Sequence, residues 1–399
     1  MDNSFFWAGY ECAYALAKKK GMHKRLDLLA ATKHDEYCRI DYTLIKELGI
    51  YTVREGMAWN QIDKGNNTYN FDRFEKMMQV AAEENIKQVW NLNHFDFPEY
   101  LDPFSEKFVA QFAEYARRCI TLIRKYQKGT LYINPINEIS FFAFFSASAG
   151  QWAPFQINKG SEFKRQLVRA TLTAIDAMRA EDSDVKFILI DPLMYRATNS
   201  PDAKLQAFVK NFNNNIRFQA WDMINGTVEP ELGGDPSYID IIGINYYAHN
   251  QEWIYGFHKT NPSLTYHKII PLQSKARISV KQLLTETFER YKKPIVITET
   301  GSYGILRKRW WRLFLKEIDE CRDAAVPLLG VCIYPAVDRP DWGDETVLTN
   351  SGLWDFAAND PQMVRISHTE SIDLIKKYSE KWGLQPKKPQ VSSFKNVNM

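Results

Sequence analysis

The chain is poor in the features that would place it in several large functional classes. It has 5 cysteines in 399 residues, at Cys12, Cys38, Cys119, Cys321 and Cys332. None share a CxxC spacing, so neither a zinc knuckle nor a redox pair is indicated. An odd, scattered set suits reduced thiols in the cytoplasm. No apolar run approaches the ~20 residues of a membrane helix. The N-terminus has no basic segment followed by an apolar stretch, so no signal peptide is expected and a cytoplasmic location is. Charge is balanced, with 51 basic against 48 acidic residues. A nucleic-acid protein would carry a basic stripe instead. No glycine-rich phosphate loop follows an early strand, which argues against a doubly wound nucleotide-binding sheet. His34, His249, His258, His267 and His368 show no metal-binding spacing, so no metal or other cofactor is expected. Nothing in the sequence specifies an oligomeric state.

What the chain does have is aromatic side chains, 14% of the total with 11 Trp, and a repeating alternation of short and long segments. Short apolar runs read as strands at 5–9, 50–54, 88–93, 130–136, 185–190, 239–245, 294–298 and 329–334. Segments at 41–48, 71–84, 108–126, 163–180, 280–291 and 310–324 have helical spacing. Strands alternating with helices predict parallel pairing through crossover helices. Eight such units predict an α/β fold, a (β/α)₈ TIM barrel. The long stretches 140–162, 248–279 and 338–367 read as extended βα loops. The expected division is one barrel domain over 1–384 and a mobile C-terminal tail over 385–399.

In such a barrel the chemistry sits at the C-terminal ends of the strands. Six of the eight runs end in polar groups. The second ends at Arg54-Glu55, and the third in Asn91-Leu-Asn-His94-Phe-Asp96. The fourth delivers Asn137-Glu138, the sixth Asn245-Tyr-Tyr247, the seventh Glu299. The eighth runs through Tyr334 to Asp338. Two carboxyls facing one glycosidic bond supply an acid and a nucleophile for hydrolysis, and Glu138 and Glu299 are the candidates. A retaining arrangement requires them ~5–5.5 Å apart and an inverting one ~6.5–9.5 Å. Glu11 and Glu55 add negative charge near this end of the barrel, unless they face solvent or cap a helix.

The order of these motifs resembles glycoside hydrolase family 1 across nearly the whole chain. FFWAGYECAY at 5–14 is similar to the family's first-strand motif, and the stretch 49–62 to its second. NHFDFP at 93–98 resembles His-Trp-Asp-x-Pro. GINYY at 243–247 matches nearly letter for letter, and ITETG at 297–301 resembles the nucleophile motif. Asp338 to Trp342, then SGLWD at 351–355, look like the eighth-strand region. The resemblance implies a retaining β-glycosidase with a carbohydrate substrate. It implies Glu299 as nucleophile and Glu138 as acid/base. Arg54 stands beside the nucleophile, where its charge should hold the carboxyl's pKa low, and Tyr247 orients it. Asn137 would hold the sugar 2-hydroxyl, with Asn245 supporting catalysis. His94, Tyr334, Asp341 and Trp342 fall at substrate-binding positions.

The departures concern the sugar. Ala15 replaces the family's sugar-binding glutamine, and Asp341 replaces a glutamate. Tyr334 replaces a stacking tryptophan, Phe95 another tryptophan, and Ile139 a proline. Arg339 adds a positive charge. These changes imply a different, acidic or decorated glycone. Phe141, Phe142, Phe144, Phe145 and Trp152 would form either an aglycone wall or packing over the barrel rim. A sugar-binding barrel without turnover, or a transglycosidase using the same residues, are the alternatives.

Overall fold

The computed structural model describes residues 4–19, 22–259, 264–323, 326–357 and 360–384. The expected tail over 385–399 lies outside them.

Eight parallel strands form a closed barrel. They are β1 (Phe6–Gly9), β2 (Thr52–Gly56), β3 (Lys87–Asn93) and β4 (Leu131–Ile136). The others are β5 (Val185–Pro192), β6 (Ile241–Asn245), β7 (Ile295–Thr300) and β8 (Leu328–Ile333). Neighbours in sequence are neighbours in space, and β1 closes the ring on β8 with Phe6, Trp7 and Ala8 opposite Val331, Cys332 and Ile333. All eight expected strands form, within one to two residues of the expected bounds.

The strands read as continuous apolar runs because both faces are covered. Trp7, Val89, Ile188, Ile190, Ile241, Val296 and Cys332 form one buried cluster drawn from six of the barrel strands. The larger cluster packs strands against helices. The helix Glu106–Tyr126 shows how. Ser105 caps it by accepting from the Phe108 N–H, which satisfies an orphan donor of the first turn. Phe108, Phe112, Tyr115, Cys119 and Ile123 recur at three- and four-residue spacing and are buried. Ser279 caps Val280–Tyr291 in the same way.

The long loops carry more structure than their sequence suggested. The stretch 248–279 contains strands Gln251–Phe257 and Thr265–Ile269, which with Tyr195–Ala197 make a three-stranded sheet. The stretch 338–367 contains the small sheet of Trp354–Phe356 with Arg365–Ser367. A hairpin of Leu16–Lys19 with Met22–Arg25 follows β1. Its Lys19 and Lys24 both pair with Glu345 of the β8 loop, and its Ala17 bridges to Trp152. No helix among the described residues is long and apolar enough to cross a membrane.

Candidate active site

The strand-end residues converge at one end of the barrel. Arg54 on β2 is fully buried. Its Nη1 donates to Glu299 Oε1 on β7 at 2.7 Å, and its Nη2 donates to Asn137 Oδ1 at 2.7 Å. The Tyr247 hydroxyl, just past β6, donates to Glu299 Oε2 at 2.6 Å. Both oxygens of Glu299 are therefore held, one by a guanidinium and one by a phenol. Glu138 is held differently. Its Oε1 accepts from Asn245 Nδ2 at 2.9 Å, and Thr298 Oγ1 fixes that amide by donating to Asn245 Oδ1 at 2.8 Å.

Glu138 also carries backbone strain. Its φ is 47° and ψ 61°, a left-handed conformation that non-glycine residues adopt mainly where surroundings enforce it. The Glu138 N–H donates to the Ile190 carbonyl of β5, and its own carbonyl accepts from Phe142. The turn from β4 into the next helix thereby aims the carboxyl into the barrel mouth.

The two carboxyls are buried unequally well compensated. Burial pushes the Glu138 carboxyl well above its ordinary value, and the charge of Glu299 pushes it further. Burial also raises Glu299, but Arg54 and the Tyr247 bond oppose it. This corrects the expectation that Arg54 holds the Glu299 pKa low. The guanidinium limits the rise, and desolvation still wins. Arg54 and Tyr247 thus oppose the rise at Glu299 more directly than anything opposes it at Glu138.

His94 lies behind Asn137. Asn137 Oδ1 is committed to Arg54, so its Nδ2 donates to His94 Nε2 at 3.1 Å. That leaves the ring proton on Nδ1, which faces Cys12 Sγ at 3.0 Å. Burial and the nearby Arg54 charge keep His94 neutral, and burial keeps Cys12 a thiol. The Cys12–His94–Asn137 line therefore has the wrong tautomer for thiol activation. Two glycines permit the close packing here. A Cβ on Gly56 would meet Cys12 Sγ at 2.3 Å, and one on Gly9 would meet the Tyr334 ring at 2.4 Å.

Tyr334 and Trp342 also reach this end of the barrel. The Tyr334 ring lies 5.2 Å from the Arg54 guanidinium carbon, and its hydroxyl donates to Glu11 at 3.0 Å. Trp342 Nε1 donates to Glu11 at 3.3 Å. Asp341 behaves otherwise. Its carboxylate accepts from the Gly343 and Asp344 N–H groups and so caps its own turn. Glu11 and Glu55 are both buried, so neither faces solvent. Phe95, Phe141, Phe145, Trp152 and Trp342 form a continuous aromatic cluster with ring centres 4.4–6.1 Å apart. Phe142 packs against both Phe95, at 5.6 Å, and Phe163, at 5.2 Å, and so joins this cluster to the helix layer. Among the described residues, no group of three His, Cys, Asp or Glu is placed to hold a metal.

Asp191 at the end of β5 was missed in the sequence. Its Oδ1 accepts from the Ser140 N–H at 2.9 Å, which braces the segment after Glu138. Burial raises its carboxyl to about 6, and its charge in turn raises Glu138. The signal was available, since Asp191 directly follows the apolar run 185–190.

Known proteins share the fold beneath this site. The sequence profile described as Glycosyl hydrolase family 1 matches residues 16–231, more than half of the chain. A β-glucosidase from Thermotoga maritima, solved with castanospermine, superposes with a TM-score of 0.74, covering 96% of this chain and 98% of that one at 17% identity. The AHE enzyme from Alicyclobacillus herbarius gives 0.75 at 17% identity, covering 97% and 99%. At such identity these likenesses speak to the fold. Beta-glucosidase 1 of Arabidopsis thaliana is 25% identical over 123 residues, 29% of this chain. A Zea mays benzoxazinyl glucoside β-D-glucosidase is 24% identical over 136 residues, 31% of this chain. These matches span 23% and 24% of the two plant proteins. On the extent of the profile match, with the closed barrel beneath it, the chain belongs to glycosyl hydrolase family 1.

Proposed function

We propose that this chain is a retaining β-glycosidase acting on a carbohydrate substrate. The observation that carries the reading is the unequal treatment of two buried carboxyls. Glu299 is gripped by a guanidinium and a phenol, whereas Glu138 is gripped by an amide alone. Two titratable groups driven apart in this way take opposite roles, one a base or nucleophile and the other an acid.

Glu299 attacks the anomeric carbon while Glu138 gives its proton to the departing glycosidic oxygen. The first step leaves a glycosyl ester on Glu299 and an ionised Glu138. Glu138 then takes a proton from the incoming water as its oxygen bonds the anomeric carbon, and Glu299 leaves as carboxylate. Asn137, fixed by Arg54 and backed by His94, offers its second amide N–H to the sugar 2-hydroxyl. The aromatic cluster beyond Glu138 supplies an apolar face for the leaving group.

The test is hydrolysis of a panel of aryl β- and α-glycosides by the wild type and Glu299→Gln. Release from a β-glycoside by the wild type alone, with the β-anomer as first product by NMR, is the expected result. Full activity in Glu299→Gln would remove the nucleophile assignment. Glycan binding with no turnover would favour a sugar-binding barrel, and glycoside formation with added alcohols would favour transglycosylation.

A further inference from the structure

Glu11 follows β1 and has no part in the chemistry above, yet its carboxylate is among the most heavily ligated in the molecule. Oε1 accepts from the Cys12 N–H at 3.1 Å, the Ala13 N–H at 3.2 Å and the Tyr334 hydroxyl at 3.0 Å. Oε2 accepts from Trp342 Nε1 at 3.3 Å and pairs with Arg339 Nε at 3.0 Å. Arg339 lies with its guanidinium 5.4 Å from the Trp342 ring centre, and its Nη1 donates to the Pro340 carbonyl. Glu11 also belongs to the electrostatics of the reacting centre, since its charge raises both Glu299 and Tyr247.

A guanidinium beside a sugar site ordinarily receives a carboxylate or phosphate. Here that charge already has a partner. Arg54 is matched by Glu299 in the same way, at 2.7 Å. Arg54 and Arg339 are thus each met by a carboxylate of the chain itself. An anionic sugar would bring an unmatched charge into buried surroundings, beside two carboxylates already there, and that is unfavourable.

We propose that Glu11 is a specificity-determining residue: it cancels Arg339 so that the site rejects uronates and sugar phosphates, and loss of its charge turns Arg339 into an anion receptor. The inference rests on the glycosidase reading and names an uncharged glycone within it, against the acidic one that Arg339 suggested in the sequence, because Glu11 pairs with that charge. Glu11 acts through Arg339, Tyr334 and Trp342, so it is a positioning residue rather than a catalytic one.

The test compares kcat/KM for aryl β-hexosides with the uronides and 6-phosphates of the same ring configuration. The wild type should favour the uncharged sugar by about 100-fold or more, the discrimination expected when a charge is left unpaired. Glu11→Gln should narrow that ratio by about 10-fold or more, and Arg339→Gln, which leaves Glu11 unmatched, should widen it. A purely structural role would lower turnover of charged and uncharged sugars together and leave the ratio still. If Glu11→Gln does not fold, the widening by Arg339→Gln and its absence in Arg339→Lys carry the test. Wild-type preference for an anionic glycone, or a ratio unmoved by the variants that fold, overturns the inference while leaving the glycosidase reading intact. Silence of the wild type on every glycoside removes both.

Discussion

Arg54 Nη1 lies 2.7 Å from Glu299 Oε1, and this contact opposes at Glu299 the rise that burial imposes on both carboxyls. Burial raises both, and the guanidinium opposes the rise at Glu299 much more directly than at Glu138. Replacing Arg54 with Met removes that opposition, so the Glu299 pKa rises further. The acidic limb of the kcat/KM profile should move to higher pH, and kcat should fall by about 10²-fold or more. An acidic limb that stays in place would show that another group sets it.

Tyr247→Phe removes one hydrogen bond, 2.6 Å long, from Glu299, which the proposed mechanism uses as a carboxylate. A bond to a charged group contributes about 1.5–3 kcal/mol, so the expected loss in kcat/KM is roughly 10- to 100-fold. The same variant should shift the acidic limb upward, in the same sense as the Arg54 variant but by less. A titration series on both variants checks the order.

Glu138→Gln keeps the amide partner but has no proton to give. With a poor leaving group, turnover should collapse. With a leaving group that departs unprotonated, such as dinitrophenolate, the first step should persist and the glycosyl ester should accumulate as a burst. The basic limb of the pH profile, set by loss of the Glu138 proton, should vanish in this variant. A retained basic limb would assign that proton to another residue.

His34 gives a prediction about stability. It is buried between Asp41 Oδ2 at 2.7 Å and Glu55 Oε1 at 3.1 Å, while Arg365 holds Asp41 through two bonds. Burial opposes its charge, but the two carboxylates win and raise its pKa to about 9. Because the folded value exceeds the ordinary value near 6.5, the protonated ring stabilises the fold fully below that value. This contribution is lost as pH rises through about 9. His34→Gln should therefore lower stability by about 3–5 kcal/mol at pH 6, the cost of breaking a buried charge network. The gap between wild type and variant should shrink at pH 10. Urea midpoints at the two pH values measure it, and a gap that is constant would refute a charged His34.

Most of the barrel was legible because strands buried on two faces lose the alternation of half-buried strands, so 88–93 and 294–298 stood out as short unbroken apolar runs. The polar residues closing six of the eight runs then marked the candidate site, as with Asn245 and Glu299. The hairpin 16–25 did not show itself, because Lys18, Lys19, His23, Lys24 and Arg25 leave it almost no apolar signature. The strands in 248–279 were hidden for a related reason. Tyr266, His267, Lys268 and Ile269 are all exposed on an edge, and no core face imposes a pattern on them. The direction of the Glu299 shift was also out of reach. It depends on how deeply the assembled barrel buries the carboxyl, and neighbouring residues in sequence do not encode that. Asp341 reads as a ligand from its place beside Trp342, and the sequence did not show that a turn two residues on engages its Oδ1.

The bonds of Glu11 cross the seam where the first strand meets the last. Tyr334 and Trp342 stand 323 and 331 residues further along the chain. Contacts of such separation form only after a large loop has closed. During synthesis Glu138 and Glu299, the proposed acid and nucleophile, both emerge before the β8 loop that Glu11 must grasp. This end of the candidate site is thus the last to assemble, and the onset of turnover on refolding should coincide with ring closure rather than with the gain of helix.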